Sequence, residues 1–310
     1  MADEKKDAEY SLPKMDENSL ISFTEMVNMF MDSSHRKRRG KPGIWKLKSV
    51  GDHGWMFVEP SDVYESYDIF DAGCEFLEQG MIDKAEKLLT EIVTKVPSHI
   101  DALHHLAIIF DEKGKDEEAL KLWNKGVEIG KNVISKNFTS GDKLEWGWIE
   151  NRPFLRCQHG LATKLLSENK TDEAVVLLEE LLAYNPNDNQ GVREILFYIY
   201  LDKGEYDKAL ILCKKYPNDM LAGLWYGYPL VLFKMGKHAW ASKKLRKVVK
   251  ESPKIAQELL KKTHEPPKEE MPGYITVGGW SEAYSYWEQF GKFWDEKALE
   301  WLKEISSQYV

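Results

Sequence analysis

The segment GMIDKAEKLLTEIVTKVPSHIDALHHLAIIFDEKGKDEEA at residues 80–119 decides the fold of this chain. Gly80 and Ala85 recur 34 residues later as Gly114 and Ala119. Each alanine begins a helix whose apolar residues recur at helical spacing. Self-similarity at a fixed period of this length is typical of stacked helical hairpins. The segment therefore predicts an all-α solenoid.

The same register extends along most of the chain. A glycine or asparagine is followed five residues later by an alanine at 80/85, 114/119, 169/174, 204/209 and 236/241. We expect a turn at each first residue and a closely packed helix at each alanine. About five hairpins should therefore occupy residues 66–255.

Two residues depart from the regular pattern. Units end at a proline, but Lys131 stands in that position of the second unit, so its second helix should continue into an insertion near 131–151. Pro229 lies inside the first helix of the fifth unit, where it should kink the helix or mark a displaced start.

An N-terminal extension precedes the repeats. Residues 1–17 are charged and lack periodicity, which is typical of a mobile tail. Residues 18–65 carry a helical pattern at 18–33, a basic run at 35–43, and two β-prone segments around a Gly/Asp turn at 44–60. The last of these patterns predicts a small β-hairpin.

The C-terminal segment, 256–310, combines a proline-rich linker with tryptophans at a seven-residue spacing: Trp280, Trp287, Trp294 and Trp301. Such a stripe is a partner-binding face or one side of helices that cover the flank of the last repeat. Repeat arrays require capping, so we expect a pair of capping helices.

Composition limits the classes of function. The chain has 310 residues, a formal net charge of -8 and a sequence pI near 5.6. An acidic body argues against a protein that binds nucleic acid or an anionic membrane over its whole surface. Three distant cysteines without a CxxC motif indicate free thiols. No secretory leader pattern or long apolar run occurs, so we expect a cytoplasmic protein without a membrane partner.

The residues quoted above resemble the tetratricopeptide repeat (TPR) superfamily over about 66–255. A narrower likeness, in 150–162 joined to 185–196, is to the TPR region of the suppressor-of-tumorigenicity family and to prokaryotic TPR proteins associated with SEC-C motifs. The chain has no CxC-type zinc motif, so metal binding by those relatives does not transfer. The TPR resemblance implies a right-handed superhelix whose concave face binds protein, and it implies no chemistry.

The resemblance also implies which residues line the groove. In TPR arrays the second, fifth, sixth and ninth positions of the first helix of each hairpin face inward, and we call these positions the first-helix face. Here the candidates are Tyr67, Phe70, Asp71, Asp101, His104, His105, Arg156, His159, Glu194, Tyr198 and Tyr226. Rigid aromatic rings with a few polar groups suit peptide capture. The alternative is that a neighbouring segment, such as the N-terminal extension or the 139–151 loop, already fills the groove.

Two further clusters have a chemical and a plain interpretation. His104, His105 and His159 offer three imidazoles, but no carboxylate or cysteine stands at ligand spacing, so we predict polar groove residues and no metal. The basic run is the only dense positive patch that we identify in the sequence, and it comprises Arg36, Lys37, Arg38, Arg39 and Lys41. It is a solvated linker, which we favour, or a contact for RNA, DNA phosphates or a nuclear-import receptor.

Catalytic motifs are absent from the sequence: no GxSxG, P-loop or HExxH occurs, and no GxGxxG follows a strand. We therefore expect no catalytic residues and no cofactor. The sequence predicts a non-catalytic scaffold for an unidentified protein or peptide partner. One alternative is a regulatory factor that contacts nucleic acid through 35–43. A further alternative is an enzyme whose residues converge from several repeats.

Overall fold

The computed structural model describes residues 44–134, 138–217, 219–268 and 276–307. The chain divides into two compact units. Unit 1 comprises residues up to Thr139 together with Ile149–Gly160, and unit 2 comprises Ser140–Trp148 together with Leu161–Val310. The predicted tail at 1–17, the helical pattern at 18–33 and the basic run at 35–43 lie outside the described residues.

The described residues form helical hairpins preceded by one small sheet, which confirms the predicted all-α fold class. The strands are β1 (Lys46–Gly51) and β2 (Gly54–Val58). The helices are α1 (Ser61–Tyr64), α2 (Tyr67–Glu78), α3 (Ile82–Lys95), α4 (Ile100–Glu112), α5 (Asp116–Ile134), α6 (Arg152–Ser167), α7 (Thr171–Tyr184), α8 (Val192–Asp202), α9 (Tyr206–Lys215), α10 (Ala222–Lys234), α11 (His238–Glu251), α12 (Pro253–Leu259), α13 (Trp280–Phe290) and α14 (Glu296–Ser306).

Each hairpin turns through one residue with a positive φ angle. Those residues are Gly80, Gly114, Asn169, Gly204 and Gly236, with φ between 60° and 72°. The following amide donates to the carbonyl five residues earlier, as from Met81 N to Phe76 O at 2.8 Å, which closes the first helix in a Schellman motif. The five predicted turns are confirmed, and glycine stands at four of them because it adopts this conformation without strain.

The alanine of each pair is fully buried. Ala85, Ala119, Ala174, Ala209 and Ala241 each have 0% exposure. A methyl group lets the two helices of a hairpin approach closely, which is why the sequence repeats a small residue there. Among the described residues, no strand occurs between 66 and 255. The TPR type of the repeats is therefore confirmed.

The β-hairpin predicted at 44–60 is also confirmed, and it is anchored within unit 1. The strands pair antiparallel, from Lys46 opposite Val58 to Gly51 opposite Gly54. The Asn151 side chain accepts from Phe57 N and donates to Trp55 O, both at 3.0 Å. These contacts hold Phe57 fully buried.

Of the two departures from the repeat, the longer helix expected from Lys131 occurs, whereas Pro229 does not mark a displaced helix start. The second helix of the second hairpin, α5, has 19 residues, against 14 in α3, so the loss of the terminal proline lengthens it. Pro229 stands inside α10, which begins at Ala222, and its ring is buried.

The C-terminal tryptophans do not form one stripe, because a 3-10 turn at Gly291–Phe293 separates α13 from α14. Within unit 2, Trp301 stacks on Phe233 of α10 at 4.5 Å between ring centroids, and Trp294 is buried. These helices pack on the last hairpin, as the capping interpretation predicts.

Candidate functional site

The first-helix face of unit 1 centres on a buried ion pair. Asp101, in the first turn of α4, is 5% exposed, and its Oδ2 lies 2.6 Å from Nη2 of Arg156 on α6. His105 lies one turn further along α4, with Nδ1 2.9 Å from the Asp101 carbonyl. Burial raises the pKa of Asp101, while Arg156 opposes that shift. Both charges therefore depend on each other for compensation.

Aromatic rings surround a neutral histidine beside this pair. His99 is fully buried, and its Nδ1 accepts from Ala102 N at 3.1 Å, which caps α4. Phe70 packs on the His99 ring at 5.0 Å, and Tyr67 lies at 5.5 Å from it. Burial lowers the pKa of His99 to about 4, so the imidazole is uncharged at neutral pH.

His104 is held in the same way by a tryptophan. Its Nδ1 accepts from Trp123 Nε1 at 3.1 Å, and burial lowers its pKa. His159 lies near enough to lower that pKa further. Since Trp123 uses the Nδ1 lone pair, this nitrogen is not free to bind metal. No group of three or more metal-ligating side chains occurs in the part of the chain that the structure describes.

The rim of this face carries carboxylates. The Tyr67 hydroxyl donates to Glu59 Oε1 at 2.5 Å, and burial raises the pKa of Glu59. Asp71 is exposed on α2, and both Asp71 and Asp101 raise the pKa of the half-buried Cys74, which burial takes to about 12. This face therefore carries the carboxyl groups of Glu59, Asp71 and Asp101 together with the Arg156 cation.

Three buried polar atoms of the cluster have no hydrogen-bond partner among the described residues. They are Asp101 Oδ1, Arg156 Nε and His99 Nε2. An unsatisfied buried polar atom costs about 1–3 kcal/mol, and such groups are rare in native proteins. Their concentration in one half-buried cluster marks this face as a candidate site.

The first-helix face of unit 2 is covered by the chain's own α13. Tyr226 of α10 is 0% exposed and packs on Tyr286 of α13 at 5.6 Å. Tyr198 of α8 contacts Phe290 and Phe293, at 5.9 and 5.4 Å. Glu194 accepts from Gly223 N at 2.9 Å, and burial raises its pKa.

Two of the aromatic residues proposed to line the groove, Phe70 and Tyr226, are buried in the structure. Phe70 is 5% exposed because His99 and His105 cover it, and α13 covers Tyr226. Among the described residues, the segment that covers the first-helix face of unit 2 is thus α13, one of the C-terminal helices that were expected to cap the flank. Tyr286 and Phe293 lie seven residues apart, a spacing that can be read from the sequence. The residues that they contact, Tyr226 and Tyr198, could not be predicted from that spacing.

Sequence reasoning missed several residues. Glu59 and Trp123 belong to the unit 1 cluster because their side chains contact Tyr67 and His104. No local sequence pattern predicts either contact. A second omission is α11, in which Lys243, Lys244, Arg246, Lys247 and Lys250 fall within eight residues. The basic run at 35–43 is therefore not the one dense positive segment.

No helix among the described residues combines the length and apolarity needed to cross a membrane.

A family model described as transcriptional repressor TCF25 matches residues 74–310. That range covers most of the repeats, α11 and both C-terminal helices, and it begins within α2. No curated protein matches the chain significantly.

Several solved structures have a similar fold. A putative kinesin light chain from Podosopora anserina with nearly identical TPR-like repeats is 19% identical, covers 60% of this chain and 94% of its own, and has a TM-score of 0.41. The C-terminal part of a TPR protein from Cytophaga hutchinsonii is 13% identical, with coverages of 77% and 80% and a TM-score of 0.44. A structure of Naa15/Naa10 bound to HypK-THB contains a chain that is 18% identical to this one. The match covers 79% of this chain and 34% of that chain, with a TM-score of 0.45.

Proposed function

The chain belongs to the Tcf25 family, and from this premise we propose that it is a non-catalytic scaffold that binds a protein or peptide on the first-helix face of unit 1. One observation carries the proposal: half-buried Tyr67, His105 and Arg156 surround polar atoms that have no hydrogen-bond partner among the described residues. A bound peptide can contact the exposed parts of these three half-buried side chains, and rigid rings give contact area at little entropic cost.

Charge favours a peptide that carries a basic residue. Glu59, Asp71 and Asp101 contribute carboxylates to this face, whereas the cation Arg156 pairs with Asp101 and the buried histidines His99 and His104 are neutral. A lysine or arginine side chain next to an apolar residue would match the carboxylate rim and the Tyr67 ring.

The family description suggests the setting. Relatives are described as transcriptional repressors, so we propose that the scaffold acts in a transcription-related assembly. The cytoplasmic location stays a prediction, and imaging of the full-length chain fused to a fluorescent protein tests it against a nuclear one.

Peptide selection on the full-length chain tests the binding face. Phage-displayed random 12-residue peptides are selected on the wild type, and their affinities are then measured by fluorescence anisotropy. Asp71→Lys should weaken binding at least 5-fold, because it reverses a rim charge. Asp68→Lys is the matched control: this aspartate is equally exposed, three residues earlier on α2, and should leave affinity unchanged.

Selected peptides should be enriched in lysine or arginine. Peptides that bind both variants and the wild type equally would place the binding surface elsewhere and contradict the proposal.

A further inference from the structure

Helix α11 carries an unusual concentration of positive charge in an acidic protein. Lys243, Lys244, Arg246, Lys247 and Lys250 lie within eight residues, while the chain as a whole has a net charge of -8. All except Lys244 are exposed, and Lys244 is half-buried. Their spacings of three and four residues place several of them on the same side of the helix. We call these five residues the basic face of α11.

This charge is almost uncompensated. Among the described residues, the one carboxylate within 4.0 Å of any of the five is Glu251, whose Oε1 lies 3.9 Å from Lys247 Nζ. Like charges three and four residues apart destabilise a helix, so the solvent side of a helix usually mixes both signs. Helix α5 does so, for example with Lys121 and Glu117. The basic face of α11 therefore differs from an ordinary solvated helix surface.

Aromatic rings stand between these cations. Trp240 is 63% exposed, one turn before Lys243, whose Nζ lies 6.0 Å from the ring centre. On the same side of α11 as Trp240, Lys244 and Lys247 border a groove whose walls include Trp225 and Tyr228 of α10. Lys244 Nζ sits 4.5 Å from the Tyr228 ring centre. Every ring named here belongs to unit 2.

Cations that track a backbone and aromatic faces on which bases stack are the two elements of single-stranded nucleic acid recognition. Each phosphate contact is electrostatic and independent of sequence, and each base offers a flat π-face. We propose that the basic face of α11, together with Trp240, binds single-stranded nucleic acid. This site is separate from the peptide-binding face proposed for unit 1.

The test measures binding of fluorescein-labelled 20-nucleotide oligo(U) and oligo(dT) to the full-length chain by anisotropy across a salt series. The four arginines and lysines at 36–39 are reversed to glutamate in every protein used, so that the N-terminal run does not contribute. Lys243→Glu, Lys247→Glu and Lys250→Glu combined should weaken binding at least 10-fold at 100 mM salt. The slope of log K against log salt should fall by about 2, because each lost phosphate contact on a single strand removes about 0.7.

Two further variants separate charge from stacking. Trp240→Ala should weaken binding about 5-fold without changing the salt slope, because it removes a stacking platform and no charge. The matched control, Lys121→Glu, Lys262→Glu and Lys303→Glu combined, makes the same change in net charge at exposed lysines outside α11 and should alter affinity less than 2-fold. Thermal unfolding followed by circular dichroism checks that each variant folds, and the corresponding glutamine triple replaces any glutamate variant that does not.

Three results would overturn the proposal. One is an α11 triple variant that binds as tightly as the control. Another is absence of binding in the starting protein at 50 mM salt. The third combines two observations: poly-L-glutamate at equal charge concentration displaces the oligonucleotides, and Trp240→Ala has no effect on their binding. That result would indicate that the basic face of α11 binds an acidic protein segment.

Discussion

The first-helix faces of the two units use equivalent repeat positions for different purposes. In unit 2, Tyr198 and Tyr226 meet the aromatic side of α13, and the face is closed by the chain itself. In unit 1, the Asp101–Arg156 pair and the rim carboxylates leave a polar surface with unsatisfied buried atoms. Equivalent repeat positions thus differ in side-chain chemistry, and only the face of unit 1 is the one that we propose for a partner.

The largest expected effect tests whether α13 is an integral part of unit 2. Phe290 is 1% exposed and contacts Phe197, Tyr198 and Tyr286. Phe290→Ala should lower the free energy of unfolding by about 3–5 kcal/mol, because truncation of a buried phenylalanine leaves a cavity. Urea denaturation measures the change, with exposed Glu288→Ala on the same helix as the control.

A loss below about 1 kcal/mol for Phe290→Ala would mean that α13 rests loosely on the face. A partner could then displace it, and the two units would no longer differ in availability.

The second effect tests the polar character of unit 1. Arg156→Gln leaves the Asp101 carboxylate buried without its cation and should cost about 1–3 kcal/mol at pH 7, less than a fully buried pair because Arg156 is partly exposed. Adding Asp101→Asn removes the uncompensated charge, so the double variant should be more stable than Arg156→Gln alone. Urea denaturation of Arg156→Gln, Asp101→Asn and the double variant measures the coupling, and additive losses would contradict a mutually dependent pair.

The repeats could be predicted from the sequence to a greater extent than the candidate site. The turn glycines and buried alanines follow from local rules, a positive φ angle and close helix approach, and they repeat at a fixed period. The sheet anchor Asn151 and the cluster member Glu59 depend on contacts between residues far apart in the chain, for which no local pattern exists. The covering of Tyr226 by Tyr286 is of the same kind.

The basic face of α11 is a different case, since its signal was present in the sequence. Five cations at helical spacing, with no acidic residue between them, are readable from KKLRKVVK at 243–250. The segment has the pattern of an ordinary amphipathic repeat helix, because its other side carries the buried apolar residues Leu245, Val248 and Val249. For that reason its charge was not singled out in the sequence.

The third effect is a difference in pH dependence between the units. Burial lowers the pKa of His99 to about 4 and also lowers that of His104, so folded unit 1 binds fewer protons than the unfolded chain below about pH 6.5. Stability should therefore fall on acidification from about pH 6.5 towards pH 4, by up to about 1.4 kcal/mol per pH unit for each histidine. The raised pKa values of Asp101 and Glu59 act in the opposite direction.

Hydrogen exchange, corrected for the intrinsic pH dependence, measures protection in peptides from α4 and from α8 separately. His99→Asn keeps the helix cap but removes the titrating ring, so its α4 peptides should lose less protection at low pH than those of the wild type. Equal sensitivity of wild type and variant would exclude His99 as a cause.

The smallest effect is a change in thiol reactivity that reports on the unit 1 face. Cys74 is half-buried among carboxylates, and its pKa of about 12 keeps it protonated, so alkylation by iodoacetamide at pH 8 should be more than about 100-fold slower than for free cysteine. Asp71→Lys replaces a nearby negative charge with a positive one and should accelerate the reaction, whereas Asp68→Lys should not. A peptide on the first-helix face of unit 1 should slow Cys74 further and leave Cys213 of unit 2 unchanged. If the peptide slowed the alkylation of Cys213 alone, the ligand would lie on unit 2. The face of unit 2, and not that of unit 1, would then be the one that binds a partner.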